Sequence, residues 1–432
     1  MAEIRPFRAV RYADDTRLPT ATCPPYDVLS PAERRALIER DPHATARLIL
    51  PEGDGDAKYA HAAHLWQSWR SENVLRTDPV PAFYVTQTEF MLPGTNGVSG
   101  AARQSRLGLI AALRLYPYSD RVVLPHEHTL SRPKEDRLKL LGATRANFES
   151  IMLLAGDADK TLYALLEKAT EDAPPLADFT GDDHQHHTLW AINDQAVQNA
   201  LADRLRPYPL YVADGHHRYE TSVAYAEEAG ALGTDRPEAF LLATVLSSAD
   251  PGVALLPTHR LVKGVPADLL GSLFRHLGEL FDVHEVELAD LEGRLRHPLP
   301  GQPVFGIALG SGTTYQVCVR DWPTVEAALP DGLPPSLRSL DVTLAQHLVL
   351  DRMLGLPASE TATTDRLAYV RDAHEAVKRV HDGEFDAALL LGHTPARAVF
   401  DVSDTNQVMP QKSTFFYPKL VSGLVLRALD EA

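Results

Sequence analysis

Apolar and polar positions along the chain follow the two periods of regular structure, and the switches between them predict its elements. Apolar alternation in "VPAFYVTQTEFML" (80–92) predicts a strand leading into a turn bearing Gly and Asn, after which "SRLGLIAALRLYP" (105–117) is a second strand or a strand with a bulge. "YPLYVA" (208–213), "PVFGIALG" (303–310), "TTYQVCV" (313–319) and "AALLLG" (387–392) read as further strand pieces. The unbroken apolar run "AFLLATVLSS" (239–248) predicts a strand covered on both faces. Helical signals lie between them. "SPAERRALIERDP" has Ser30 as N-cap, Pro31 at the first position and Glu33 at the third, which is a capping box. Helices are also predicted over 56–72, around Arg137 and Lys139, over "NDQAVQNALADRL" with Asn193 as cap, and over 372–383. Another should run from Arg218 to Ala229, stopped by Gly230, and a last one should follow "MPQKSTFFYPKL". The acidic, proline-containing stretch "TEDAPPLADFTGDDHQHHTLWAI" (170–192) reads as a loop or inserted turn marking a boundary. The pattern gives an α+β, multidomain chain with an N-terminal α+β domain (1–118), a central region (119–260) and a C-terminal α/β region (261–432).

A chain of 432 residues is long for one hydrophobic core, in keeping with several domains. Its 44% hydrophobic and 23% charged residues are those of a folded globular protein. The formal charge of -16, from 58 acidic against 42 basic residues, repels nucleic acid and anionic membrane, so neither is expected as a partner. Any phosphate-bearing ligand then needs a local basic pocket. Two cysteines, Cys23 and Cys318, cannot make a disulfide framework. With no signal-peptide core and no apolar run of membrane-spanning length, the expected location is cytoplasmic. Self-association into a homo-oligomer is left open.

The densest polar cluster is "YPLYVADGHHRYETSVAY" (208–225), where Asp214, Gly215, His216, His217 and Arg218 separate a strand from a helix. The amides of residues 215–218 form a helix N-terminal anion site, and Arg218 adds a guanidinium fork for phosphate oxygens. Gly215 permits close approach, His216 and His217 titrate near neutrality, and Asp214 either accepts a substrate proton or holds a magnesium ion. The plainer reading is that Asp214 caps the helix while the histidines bond local carbonyls. Two adjacent histidines on a loop without Cys or a helical His pair do not support zinc. His184, His186 and His187 read as a solvated loop and are left out of the site.

A second cluster, "LPHEHTLSRPKEDR", holds His126, Glu127, His128, Lys134 and Arg137. A carboxylate between imidazoles suits a general base, against the plainer reading of a surface loop. "LPTHR" brings His259 and Arg260, either as anion contacts or as salt-bridge residues. "CPPYDVLS" positions Tyr26 and Asp27 after a double proline, where an ordinary turn is the alternative. "MPQKSTFFYPKL" holds Lys412 and Lys419 without the glycines of a P-loop. No GxSxG, Rossmann, HExxH or protein-kinase signature is present.

"PPYDVLS", "LPHEHT", "VADGHHRYET", "LPTHR" and "MPQKSTFFYPKL" jointly resemble a bacterial and archaeal family catalogued as domain of unknown function 1015, across nearly the whole chain. The region from about 121 to 229 also resembles the ParB and sulfiredoxin superfamily, whose nucleotide-binding members include free serine kinases with a similar Asp-Gly-His-His-Arg signature. That resemblance implies a central ParB/sulfiredoxin-like α/β nucleotide-binding region in which Asp214, Gly215, His216, His217 and Arg218 handle nucleotide phosphates. It also implies Glu127 as the counterpart of the kinases' catalytic glutamate. Neither cysteine lies near the loop, as sulfiredoxin chemistry requires, and the acidic charge does not suit DNA binding.

The expectation is a small-metabolite kinase that moves phosphoryl from ATP or ADP, with Mg2+, to a hydroxyl, free L-serine being the most specific candidate. Glu127, Asp214 and His217 would be its catalytic residues. Gly215, His216, His217, Arg218, His259 and Arg260 would hold the nucleotide, and Asp214 the metal. The alternatives are a nucleotide-binding regulator without turnover and a nucleotide or phosphoester hydrolase.

Overall fold

The computed structural model describes residues 1–93, 102–127, 131–297, 302–310, 312–360, 364–410 and 412–430. The turn expected between the first two strands lies outside the described residues, as does His128. The chain forms two compact units, one from Met1–Pro125, Thr129–Ala254 and Pro418–Ala432, the other from His126–His128 and Leu255–Tyr417. The architecture is mixed α and β and multidomain.

The first unit is built on one sheet, which has nine strands among the described residues. They are β1 (Ile4–Arg5), β2 (Phe83–Phe90), β3 (Gln104–Arg114), β4 (Val123–Leu124), β5 (Ile151–Ala155), β6 (Ala177–Thr180), β7 (His186–Ile192), β8 (Leu210–Asp214) and β9 (Phe240–Ser247). The order is β4-β8-β5-β9-β3-β2-β7-β6, with β1 beside β3. β9 sits mid-sheet and is buried at every position, as its unbroken apolar sequence requires. Its antiparallel pairing with β3 joins residues 109–114 to 240–245, so the boundary expected at 118/119 is corrected, because one sheet runs across it. The supposed loop over 170–192 is likewise corrected. Its two ends form the β6–β7 pair, where "HHTLWAI" alternates well enough to join the sheet despite its acidic lead-in.

The longer helices of this unit are α1 (Pro31–Arg40), α2 (Ala57–Ser71), α3 (Ser131–Thr144), α4 (Thr161–Thr170), α5 (Gln195–Leu205) and α6 (His216–Glu228). The capping box of α1 forms as expected, with Ser30 and Glu33 each accepting from the other's amide. α5 is capped by Asp194 rather than Asn193, its carboxylate accepting from the amides of Ala196 and Val197. α6 ends where Gly230 adopts φ +61°. Leu162 and Leu166 of α4 and Leu201 and Leu205 of α5 join Leu109, Leu153 and Val245 in the core. Each such leucine contributes about 1.5–3 kcal/mol by leaving water. The helix expected after residue 420 does not form. Gly423 turns the chain with φ +94°, and Arg427–Ala428 instead pairs with Ala146–Asn147.

The second unit has its own sheet of β10 (His259–Val262), β11 (Phe281–Glu285), β12 (Val304–Leu309), β13 (Thr314–Val319), β14 (Leu367–Val370) and β15 (Ala387–Leu390). Their order is β11-β13-β12-β15-β10-β14, antiparallel throughout. Helix α7 (Ala267–Leu280) buries Leu273 and Leu277 against Phe281, Phe305 and Leu389.

Candidate functional site

The candidate site of the first unit begins where β8 ends. Asp214 closes the strand, Gly215 turns the chain with φ +94°, and α6 starts at once with His216. Glycine is needed there for two reasons. The conformation is left-handed, and an added Cβ would stand 2.8 Å from Cγ2 of Ile151. No side chain caps α6, so its first-turn amides, which have no acceptor within the helix, converge at its positive end.

Asp214 is not the cap because its carboxylate is engaged elsewhere. Oδ2 accepts from Nη2 of Arg218 at 2.8 Å, and Oδ1 accepts from Nζ of Lys419. All three side chains are nearly buried, Lys419 retaining 14% exposure. Burial opposes the charge on Asp214, yet Lys419 and Arg218 outweigh it and hold the carboxyl down at about 2. Two expectations are corrected by this geometry. A carboxylate so weakly basic is a poor proton acceptor, and with both oxygens covered by cations Asp214 does not fit a magnesium ion. Among the described residues, no group of three or more His, Cys, Asp or Glu side chains is arranged to hold a metal. What Asp214 does is fix two cations beside the opening of α6.

Arg218 also donates from Nη1 to the carbonyl of Ser150 at 2.7 Å, while its buried Nε has no hydrogen-bond partner among the described residues. Its guanidinium lies against Gly215, 3.1–3.2 Å from where a Cβ would be. The helix begins at His216, two residues before the start expected at Arg218, so that Arg218 stands in its first turn with its Nε donor in reserve.

Two partners were not legible as such. Lys419 was one of two candidate lysines, and only the fold shows that it joins Asp214. Glu149 was missed altogether. It precedes the apolar strand β5 and is buried, its Oε1 accepting from the amide of Tyr26 at 2.9 Å. The "PPYD" loop is thereby tied to the site, and the Tyr26 ring lies 4.3 Å from the guanidinium of Arg137. Burial pushes the Glu149 carboxyl up in spite of Arg218 and Arg137, although the same carboxylate is the largest influence favouring charged Arg218. For a fully enclosed carboxyl the cost of burial dominates. Its folded-state pKa therefore exceeds its unfolded one, and its contribution to stability is complete below the ordinary Glu range of about 4.3 and is lost as pH rises through the folded value. Glu149→Gln keeps the acceptor for Tyr26. Its urea-denaturation stability should decline less than that of the wild type as pH is raised from 4 to 8, and parallel curves would refute the assignment.

Glu127, His259 and Arg260 belong to the second unit. Glu127 accepts from the Lys412 amide at 3.4 Å and bridges to Met409, while Nε2 of His126 is 2.6 Å from Oγ1 of Thr414. "LPHEHT" and "MPQKST" thus meet. His259, expected as a phosphate contact, is a buried β10 residue whose Nδ1 accepts from the Leu391 amide, and burial pulls it down to about 4. A neutral imidazole bonded through its acceptor nitrogen adds no cation, which corrects that expectation. Arg260 is wholly buried, donates to the Thr258 carbonyl and lies over Tyr369.

The model of the family described as "Protein of unknown function (DUF1015)" matches residues 4–343. The chain belongs to this family. Among solved structures, the DUF1015 chain is similar to a conserved hypothetical protein from Pyrococcus furiosus, at 16% identity over 75% of this chain and 97% of the other, with a TM-score of 0.36. It is similar to a free serine kinase in complex with AMP at 14% identity, over 72% and 86% of the two chains, with a TM-score of 0.35. It is also similar to C-terminally truncated SbnI from Staphylococcus aureus at 11% identity, over 73% and 86%, with a TM-score of 0.35. No curated protein matches it in sequence. Among the described residues, no helix is long and apolar enough to cross a membrane.

Proposed function

We propose that the first unit of this DUF1015 protein binds the phosphate groups of ATP or ADP at the opening of α6 and transfers a phosphoryl group to the hydroxyl of a small metabolite, with free L-serine the first acceptor to test. One observation carries the reading. A glycine with positive φ opens an uncapped thirteen-residue helix, and two cations sharing one carboxylate stand beside it. The Asp-Gly-His-His-Arg signature, similar to that of free serine kinases, points the same way.

In this reading the acceptor oxygen attacks the terminal phosphorus of the nucleotide, the bond to the bridging oxygen breaks, and the nucleotide leaves one phosphoryl group shorter. The hydroxyl proton passes to His217, a half-buried first-turn residue whose imidazole suits proton transfer near neutrality. The α6 amides, Lys419 and Arg218 offset the charge on the transferred oxygens. Asp214 positions the two cations. ATP and ADP enter as their magnesium complexes, the metal being carried by the phosphates rather than by Asp214.

The test is calorimetric titration with ATP and ADP in magnesium buffer, followed by a phosphoserine assay. Saturable binding and phosphoserine are expected. His217→Ala should retain nucleotide affinity while turnover falls by about 10²–10⁴. Binding without turnover would favour a nucleotide-binding regulator, and phosphate release independent of serine a hydrolase. No nucleotide binding would end the proposal.

A further inference from the structure

Beside Phe240, the first residue of β9, the first unit has a cavity of about 240 Å³, and no residue of the phosphate cradle lines it. Direct pairing sets Arg5 of β1 opposite Ala112 of β3, and Phe240 opposite Arg114. Strand alternation therefore brings Arg5, Ala112, Arg114 and Phe240 to one face of the sheet. The small side chain of Ala112 leaves room among the larger ones. Phe7, Phe240 and three prolines supply apolar walls. The guanidinium groups of Arg5 and Arg114 lie 4.5 and 4.6 Å from the centre of the Phe240 ring.

Three arginines, Arg5, Arg8 and Arg427, line this cavity against one carboxylate, that of Asp235. The carboxylate is already shared, its Oδ1 accepting from Nη2 of Arg5 at 2.7 Å and from Nη2 of Arg114 at 2.6 Å. Glu3 bonds to the same two arginines. Arg427 is only 6% exposed and has no carboxylate within ion-pair distance among the described residues. Glu238 favours its charge from farther off, but Oε1 of Glu238 is held by Arg145 at 2.8 Å and by Arg236 at 3.3 Å. Burial lowers the Arg427 guanidinium to about 10, which leaves it charged at neutral pH. Three of its five N–H groups are used. Nη1 donates to Oδ1 of Asn147 at 3.3 Å and to the Phe240 carbonyl at 2.9 Å, and Nη2 donates to the Pro237 carbonyl at 2.9 Å. Nε has no hydrogen-bond partner among the described residues and is not sealed off by protein atoms. A charge taken out of water without a counter-charge is costly, and a cavity that leaves such a charge open calls for an anion.

We infer that this cavity binds a small monocarboxylic acid with a compact apolar body, an aromatic ring or a branched chain, whose carboxylate is received by Arg427 and whose body rests against the phenylalanine and proline walls. Nε and Nη2 of Arg427 sit side by side in the guanidinium plane, each with a hydrogen that no protein acceptor takes, and their spacing matches the two oxygens of a carboxylate. Arg8, an exposed residue of the same lining, adds attraction for the incoming anion. Size agrees with this class. An apolar cavity of about 150 Å³ holds benzene, so the larger volume here has room for a ring and its carboxylate. A monoanion suits the site better than a phosphate dianion, because Asp235 stands in the same wall.

This site is independent of the kinase reading, and so is its test. The full chain is titrated calorimetrically with benzoate, with benzamide, which lacks the charge, and with acetate, which lacks the apolar body. Saturable benzoate binding is expected, with the other two weaker by about tenfold or more. Arg427→Met should weaken benzoate by about 10–100-fold, the range of hydrogen bonds to a charged group. Arg427→Lys, which keeps the charge and loses the fork, should fall between. Circular dichroism checks that these variants fold, since Arg427 also ties the C-terminal segment to three protein oxygens. Arg8→Glu is an exposed change that sets a second carboxylate beside the cavity, and it should weaken benzoate about tenfold. No saturable binding of benzoate, phenylacetate or isovalerate to the wild type would overturn the inference, as would equal binding of benzamide or unchanged affinity in a folded Arg427→Met protein. If Arg427→Met does not fold, Arg8→Glu decides: the tenfold loss upholds the site and unchanged affinity overturns it. Displacement of benzoate by ATP would put the acid in the phosphate cradle and overturn it as well.

Discussion

Asp214→Ala is expected to destabilise the first unit by about 3–5 kcal/mol, one of the largest single-residue effects available in this chain. The carboxylate stands between Arg218 and Lys419, all three nearly buried. Removing it leaves two like charges facing each other largely out of water, where each retains its desolvation cost and loses a charged partner. Asp214→Asn keeps the shape and one acceptor and should recover only part of the loss, because a neutral amide cannot balance a cation. Urea denaturation at neutral pH measures both. A loss below about 1 kcal/mol would mean that water reaches the two cations freely. The depressed carboxyl gives the pH dependence a definite sign. The folded value of about 2 lies below the ordinary Asp value, so the stabilisation is present above about pH 4 and is lost as pH falls toward 2. Asp214→Ala should flatten that acid limb.

Gly215→Val is expected to remove nucleotide binding, with at least a 100-fold loss of affinity for ATP, and to cost about 2–4 kcal/mol of stability. The residue has φ +94°, where a β-branched side chain is strained, and its Cβ would stand 2.8 Å from Ile151. Relief requires the α6 opening to move away from β5, and the guanidinium of Arg218, which packs against the same glycine, moves with it. Gly215→Ala should behave alike with a smaller stability loss. Calorimetric titration of a folded variant, checked by circular dichroism, reads the effect on binding separately from the effect on folding. Unchanged ATP affinity in a folded Gly215→Val protein would show that the phosphates bind elsewhere.

Local chemistry was readable wherever it was local. The Ser30–Glu33 capping box, the buried β9 strand and the cluster from Asp214 to Arg218 all formed where their sequence patterns put them, because each depends on neighbours a few residues away. Roles that depend on distant partners were not readable. Asp214 looked like a base or a metal ligand because its two cations include one 205 residues away. Glu149 looked like a polar residue at a strand start because the amide it holds lies on a loop 123 residues earlier. His187, set aside as part of a solvated loop, is a strand residue because β6 and β2 supply pairing edges on both sides of it. Where a helix was expected at the C-terminal end, Gly423 takes a positive φ and Arg427–Ala428 pairs with the distant Ala146–Asn147, a partner the local pattern does not reveal.

The path of the chain through its two units sets an order of events during synthesis. Lys419 belongs to the first unit, yet it leaves the ribosome only after the whole of Leu255–Tyr417 has been made. At about 5–20 residues per second, the 205 residues between Asp214 and Lys419 take about 10–40 s to translate. For that interval the growing chain carries Asp214, Gly215 and Arg218 but not yet Lys419. The segment that completes the charge arrangement at the opening of α6 is thus made after the whole of the second unit.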